Sequence, residues 1–344
     1  MSLHFQSQSI LIKDLNEIGS ARRQAIALAQ TLQFDETEAA KVGIVVTEIA
    51  SNLVKHAGGG ELLLRALKAM NTQGLEIIAL DKGQGMPDIN LCLEDGYSTA
   101  GSSGIGLGAV NRLSTQLDIY SQEGKGTALV STLWPIPPLN LSSTFMNIGI
   151  ICRPIKGESE CGDSLTIQPY GQGVKILVAD GLGHGPLAAR ASQTAIASFE
   201  QHIDLPSQKL LESIHGALLS TRGAAVVVAD IDFTREELRF TGVGNISASI
   251  VTGLKSKGLT SFNGTVGHQM RKVQEILYPC SENALTIIHT DGLSERWKIE
   301  DYPGLNYRHP SLIAGVLYRD HQRTRDDTTI IVLRVDSEAL ASNH

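Results

Sequence analysis

Little in this chain marks a secreted, membrane-embedded or nucleic-acid-binding protein. Its 344 residues hold four cysteines, Cys92, Cys152, Cys161 and Cys280. They show neither CxxC spacing nor a paired framework, which fits buried thiols in a reducing cytosol. No long Lys/Arg run occurs, and a net charge of −7 has the wrong sign for a nucleic-acid partner. No apolar run approaches the roughly 20 residues that span a bilayer. The opening MSLHFQSQSI lacks the charged and apolar regions of a signal peptide. What remains, 42% hydrophobic and 19% charged, is the composition of an ordinary globular protein, expected in the cytoplasm. The length suffices for two domains, each with its own core.

Residues 3–13 alternate as a first strand. Asp14 or Asn16 can cap a helix running to Leu32, with Ile18, Ala21, Ala25, Leu28 and Ala29 inward. A second helix is predicted from Asp35 to the glycines at 58–60. Strands at 61–67 and 75–80, a loop-rich stretch to 108, a helix over 108–116 and strands at 117–122 and 127–134 follow. The prolines of Trp134-Pro135-Ile136-Pro137-Pro138 cannot continue a central strand, so 135–144 reads as a linker. It separates a domain at 1–134 from one at 145–336, with a tail at 337–344. The second domain predicts short strands at 145–152, 164–168, 174–179, 224–231, 238–243, 247–251, 285–289 and 329–335. Two helices lie among them, at 186–202 and 207–221. The fold class is α/β (α+β), the C-terminal half a sandwich of sheets with helices outside.

Glu48, Asn52 and His56 recur every four residues, one above another on the second helix. A carboxylate and an amide oxygen on adjacent turns can hold Mg²⁺ with a water. A solvated stripe at a helix edge would have the same spacing. DKGQG at 81–85 follows a strand. There Asp81 could accept a hydrogen bond from an adenine amino group, and Gly83 and Gly85 let backbone approach a base. Ordinary turns also read this way. GSSGIGLG at 101–108 is a glycine loop entering a helix whose N–H groups can receive phosphates. It fits neither the Rossmann order nor GxxxxGK[ST]. Thr127, in GKGT at 124–127, can complete the adenine contacts.

In this order and spacing the four elements resemble the GHKL (Bergerat-fold) ATPases over residues 5–134, and especially their anti-sigma and switch-protein serine kinases. The resemblance implies a helical layer on a mixed sheet and ATP with Mg²⁺ as cofactor. It implies Asn52 as Mg²⁺ ligand, Glu48 as base or water-positioning residue, and Asp81 and Thr127 on adenine. Gly104, Gly106 and Gly108 become the phosphate lid. His56 fits the KHA ending of that helix, as a packing residue or a catalytic one.

In the second half, acids recur at strand ends and turns: Asp163 in CGDS, Asp180 in VADGLGHG, Asp291 in HTDGL, and Asp326 and Asp327 in RDD. Such carboxylates brought together would repel one another unless divalent cations neutralised them. Oxygen-only donors favour Mn²⁺ or Mg²⁺ over zinc, and two such ions supply an activated water for attack on phosphorus. Each motif taken singly also fits a plain turn. The ordered set resembles the SpoIIE-type branch of the protein phosphatase 2C-like phosphatases over 147–335. That resemblance implies Asp180 bridging two metals, Gly181 giving a carbonyl, Asp291 and Asp326 on one metal and Asp163 near the other. Asp327 is a further candidate that the family leaves optional. No motif fixes a basic residue for substrate phosphate; Arg153, Arg190 and His184 are candidates.

The combined expectation is a bifunctional switch enzyme of a bacterial stress or sigma-factor module. It would phosphorylate a Ser/Thr of a STAS-domain antagonist or stressosome-like scaffold with ATP and also remove that phosphate. The alternative is a phosphatase whose first domain senses ATP or binds a partner. The sequence leaves a homodimer open.

Overall fold

In the computed structural model, residues 5–69, 72–93, 106–138, 147–271 and 273–335 are described. The N-terminal elements start where the sequence provides caps. Strand β1 (Gln8–Ile12) turns Ile10 and Ile12 inward. Helix α1 (Leu15–Thr31) opens on Asp14, whose carboxylate accepts from Asn16 N–H at 2.8 Å, while Glu17 accepts from Asp14 N–H at 3.2 Å. Such a capping box contributes about 1 kcal/mol. Helix α2 (Glu36–Ala57) is capped by Asp35, which accepts from Glu38 N–H at 2.8 Å, and it ends at Gly58 with φ 70°. Ala21, Ala25 and Ala29 give α1 a small-residue face buried in the core shared with α2.

After α2 come β2 (Gly60–Ala69), β3 (Thr72–Leu80), α3 (Ile89–Leu93), α4 (Gly106–Leu113), β4 (Gln116–Gln122) and β5 (Gly126–Leu133). The strands form one sheet in the order β1-β2-β3-β5-β4. Every pairing is antiparallel, so the mixed sheet implied by the resemblance is not what forms. Tight connections explain this for β2–β3 and β4–β5, because short turns can join only antiparallel neighbours. Leu62, Leu64, Leu75, Ile77 and Ala79 bury beneath α1 and α2. Helix α4 begins at Gly106 rather than 108; Gly104 lies outside the described residues.

The C-terminal elements are β6 (Ile148–Arg153), β7 (Asp163–Tyr170), β8 (Gly173–Gly181), α5 (Pro186–Gln201), α6 (Ser207–Leu218), β9 (Ala224–Asp232) and β10 (Glu237–Val243). They continue with β11 (Ser247–Thr252), β12 (Lys255–Gly258), β13 (Gly264–Thr265), β14 (Gln269–Met270), β15 (Ile276–Pro279), β16 (Leu285–His289), α7 (Pro310–His321) and β17 (Thr328–Arg334). Two antiparallel sheets, β15-β10-β9-β8-β7 and β12-β11-β16-β17-β6, stack face to face. Alternation along β8 shows how. Ile176 and Val178 point into the inter-sheet core, while Leu177 and Ala179 point outward beneath α5 and α6.

Two compact units result, Ser7–Leu141 with Ser311–Arg319, and Met1–Gln6 with Ser142–Pro310 and Asp320–His344. The middle of α7, a helix absent from the sequence reading, thus groups with the N-terminal sheet. Every residue from Ser311 to Arg319 is buried, and a helix apolar all round lacks the one-sided period that reveals a surface helix. A Cβ at Gly315 would stand 3.1 Å from Ile78 and Leu80 on the sheet face away from α1 and α2. On that face the buried pair Arg65–Glu76, 2.7 Å apart, also receives the Ser311 hydroxyl.

Candidate functional sites

In the N-terminal unit, Glu48 and Asn52 lie half-buried along one line of α2 and His56 lies exposed at its end. A Cβ on Gly106 would stand 2.7 Å from Glu48 Oε2, so the first turn of α4 abuts that carboxylate. Asp81, just beyond β3, is oriented by two backbone donors. Its Oδ1 accepts from Gly83 N–H at 2.8 Å and from Thr127 N–H at 3.0 Å, which leaves Oδ2 for an exocyclic amine. Thr127 Oγ1 lies 3.0 Å from Ser121 Oγ, and Ser121 Oγ in turn accepts from Met86 N–H at 2.7 Å. Gly126 sits at φ 95°, and the Asp81 carbonyl fills the space a Cβ would need. Only glycine allows this closeness without strain. Gly83 and Gly85 line the same turn, and Gly108 is buried in α4. A residue that sequence reading missed also reaches this turn. Arg319, in the buried part of α7, donates from Nη1 to the Asp81 carbonyl at 3.2 Å. The partners stand 238 positions apart, so no local pattern reveals it.

In the C-terminal unit, Asp163 and Asp180 stand directly opposite in the β7–β8 pair, so both side chains occupy one face. Asp163 is buried and accepts from the Thr290 hydroxyl at 2.8 Å; burial pushes its carboxyl well up. Burial first, then Asp163, Asp291, Asp326 and Asp327, pushes the Asp180 carboxyl up to about 9. Asp291 follows β16 and accepts from Asn245 Nδ2 at 2.7 Å. Burial and Asp326 raise it, while Arg323 and the Asn245 bond oppose the rise. Asp326 arrives on the loop before β17. There the Asp327 carbonyl occupies the space a Cβ on Gly292 would need, so a glycine lets the two aspartate loops touch. Gly181 closes β8 against the Ala188 carbonyl in the same manner.

Asp327 behaves differently from the other acids. Its two oxygens accept from Ile155 N–H at 2.7 Å and Gly162 N–H at 2.9 Å. It clamps the β6–β7 connection beneath Asp163. Among the proposed phosphate contacts, His184 Nδ1 lies 2.9 Å from Glu158 Oε1, Arg190 is exposed on α5 and Arg153 ends β6. A closer cation is Arg323, whose N–H donates to Gly292 O at 2.7 Å and whose charge reaches Asp291. It stands three residues before Asp326, a proximity the sequence already displayed.

Among the described residues, no three His, Cys, Asp or Glu side chains form a closed metal-binding group. The acids are near enough to repel one another without converging on one point. Their chemistry nonetheless fits a hard divalent cation: the donors are all oxygens, and burial together with their crowding pushes the Asp180 carboxyl up, a strain that a cation would relieve. The N-terminal turn fits adenine, through the unused oxygen of an oriented Asp81.

An antiparallel sheet layered with helices, joined to a two-sheet sandwich with acids at its strand ends, makes the chain a fusion of a kinase-like ATPase domain and a protein phosphatase 2C-like domain. It belongs to the histidine kinase-like ATPase family through residues 12–133, and residues 170–336 match the stage II sporulation protein E (SpoIIE) family. Over 118 residues it is 35% identical to the serine/threonine-protein kinase RsbT of Bacillus subtilis (strain 168), spanning 34% of this chain and 89% of RsbT. Over 144 residues it is 28% identical to the phosphoserine phosphatase RsbX of the same organism, spanning 40% of this chain and 70% of RsbX. A solved chain from the bacterial stressosome, described as "a modular system that has been adapted to control secondary messenger signaling", superposes with a TM-score of 0.51 at 27% identity. It covers 55% of this chain and 98% of the other. Among the described residues, no helix is long and apolar enough to cross a membrane.

Proposed function

We propose that this chain is a bifunctional switch enzyme that phosphorylates a serine or threonine of a partner protein with ATP and hydrolyses the phosphorylated residue. The observation that carries the reading is the presence, in one polypeptide, of an oriented Asp81 turn, of a Glu48 carboxylate against the first turn of α4, and of an acid cluster around Asp180. In the first domain, Asp81 Oδ2 takes the adenine amino group and the Thr127 hydroxyl lies beside it. Asn52 would hold Mg²⁺, and Glu48, against the first turn of α4, takes the proton from the attacking hydroxyl. In the second domain, Asp180, Asp291, Asp326 and the Gly181 carbonyl, with Asp163 alongside, would hold Mn²⁺ or Mg²⁺. When bound, these ions neutralise the cluster and supply an activated water. Arg323 faces the incoming phosphate dianion, and Asp327 keeps the β6–β7 connection in place. The kinase and phosphatase relatives, with the stressosome chain, support a partner-switching role, which we assign to the cytoplasm. The partner is then a STAS-domain antagonist or stressosome-like scaffold.

The test supplies purified protein, radiolabelled ATP, Mg²⁺ and a candidate STAS-domain partner. Label should accumulate on the partner with the Asp180→Asn variant and vanish when Asn52→Ala is added. Absence of transfer to any partner refutes the kinase half. Failure of the Mn²⁺-loaded protein to release phosphate from phosphoserine protein refutes the other half.

A second reading, a phosphatase governed by nucleotide, is favoured by the Arg319–Asp81 bond. Arg319 lies seven residues before Asp326 in the chain, so the segment bonded to the adenine turn continues into the acid loop. It requires phosphatase rates that change with ATP in an Asn52-competent protein that transfers no label.

A further inference from the structure

Beside the acid cluster lies a cleft of about 410 Å³ that the proposed chemistry does not use. It opens between the β10–β11 turn, β11–β12 and the loop after β16. Asn245 stands at its mouth, and this same residue donates to Asp291 at 2.7 Å. The cleft therefore begins one hydrogen bond away from a proposed metal ligand. Ser247, Ser249, Ser256 and Ser261 give its walls hydroxyls, and Trp297 gives an apolar floor. Among the described residues, Glu295 is the only carboxylate of the lining, and no Lys or Arg belongs to it. Strand alternation accounts for the missing cations. Ser256 and Gly258 of β12 face the cleft, whereas Lys257 lies over the Tyr278 ring at 5.2 Å. Glu295 is exposed and is steadied by the Ser247 hydroxyl, which donates to its Oε1.

A phosphoserine whose phosphate sits at the acid cluster must carry its flanking peptide over the adjoining surface. Hydroxyl-lined walls suit the backbone N–H and C=O groups of an extended segment. The lone carboxylate suits a cationic side chain, because a charge-assisted hydrogen bond is roughly twice as strong as a neutral one. We infer that this cleft is the subsite for the polypeptide flanking the phosphorylated residue, and that Glu295 selects a substrate with an Arg or Lys within a few residues of it. The inference rests on the phosphatase reading above and narrows its substrate class.

The full chain with Mn²⁺ is assayed on phosphoserine peptides bearing Arg at each flanking position in turn, against the same peptides with Gln there. p-Nitrophenyl phosphate, which has no flank, is the control. The wild type should favour the best Arg peptide by about tenfold in kcat/KM, mostly through KM, as one charge-assisted contact supplies. Glu295→Gln should erase that preference and Glu295→Lys should transfer it to Glu-bearing peptides, with p-nitrophenyl phosphate hydrolysis unchanged by either. Equal rates on Arg and Gln peptides with the wild type, or a preference that survives Glu295→Gln, overturns the inference while leaving the phosphatase intact. No hydrolysis of any substrate, p-nitrophenyl phosphate included, removes the phosphatase reading and this inference with it.

Discussion

Replacing Asp180 with Asn should make the metal-free phosphatase domain more stable, increasingly so as pH rises. In the folded chain this carboxyl is pushed up to about 9 from an ordinary 3.8, by burial and then by Asp163, Asp291, Asp326 and Asp327. Between those two values the native state binds a proton that the unfolded chain has released. Stability from this group is therefore fully present below pH 3.8, declines as pH rises through the window, and is lost above about pH 9. At about 1.4 kcal/mol per pH unit, the loss reaches about 4 kcal/mol at pH 7 as an upper bound, since neighbouring acids share the strain. Asn mimics the protonated acid without titrating, so Asp180→Asn avoids that loss. Urea titrations in EDTA at pH 5, 7 and 8.5 measure it, followed by Trp297 fluorescence in a Trp134→Phe background so that one unit reports alone. The chain has two tryptophans, one in each unit. The stability difference should widen from pH 5 to 8.5, and Mn²⁺ should narrow it, because saturation at about a hundred times Kd adds roughly 2.7 kcal/mol to the wild type alone. A flat difference, or a variant less stable than wild type at pH 8.5, refutes the crowded-acid account of the site.

Other perturbations probe separate parts. Arg323→Ala should raise KM for phosphopeptides and for p-nitrophenyl phosphate alike by about tenfold, as loss of one charged phosphate contact would, with little change in unfolding midpoint; unchanged KM assigns Arg323 no phosphate role. Gly126→Ala should abolish ATP binding in equilibrium dialysis while leaving Mn²⁺-dependent hydrolysis intact, because a Cβ there meets the Asp81 carbonyl. Asp14→Ala should cost about 1 kcal/mol in unfolding of the N-terminal unit, read by Trp134, by removing the α1 cap. Asp327→Asn should lower hydrolysis and loosen hydrogen-exchange protection at Ile155 and Gly162, whose amides it now receives; exchange that stays unchanged refutes the clamp.

Local chemistry made much of this fold legible. Asp14, Asp35 and Gly58 act as the caps and stop their residue types predict, because capping is decided within one turn of chain. The strands of the sandwich were readable from alternation and β-branched runs, since one face of each is core. Helix α7 was hidden because burial on all sides erases the period that betrays a helix. The exposed β12, Lys255–Gly258, and the two-residue strands β13 and β14 carry no apolar pattern at all. At the sites, motif order singled out Asp163, Asp180, Asp291 and Asp326 as candidates but not their relations. That Asp163 faces Asp180 across a ladder is a fact of register, set by the Tyr170–Gly173 turn and invisible in either motif. Asp327 shares a dipeptide with Asp326 yet differs in role, because its oxygens accept from the Ile155 and Gly162 amides, partners 172 and 165 positions away that no local pattern displays.

That last contrast bears on how the acid cluster is held. On the loop before β17, Asp326 lies near enough to Asp180 and Asp291 to raise both carboxyls, while Asp327 turns to the β6–β7 connection. There it receives two backbone amides, as a carboxylate can without a cation. Backbone donors favour its ionised form and partly offset its burial, whereas burial and the like charges of Asp163, Asp291, Asp326 and Asp327 all act against the ionised form of Asp180. One acid therefore completes itself from the fold and rigidifies it; the other is complete only with something positive from outside. The same division recurs in the N-terminal unit, where Asp81 Oδ1 is spent on Gly83 and Thr127 and Oδ2 is left for a ligand. In both units the fold satisfies enough of the local charge to fix the geometry and leaves the remainder as the site's affinity for what it binds.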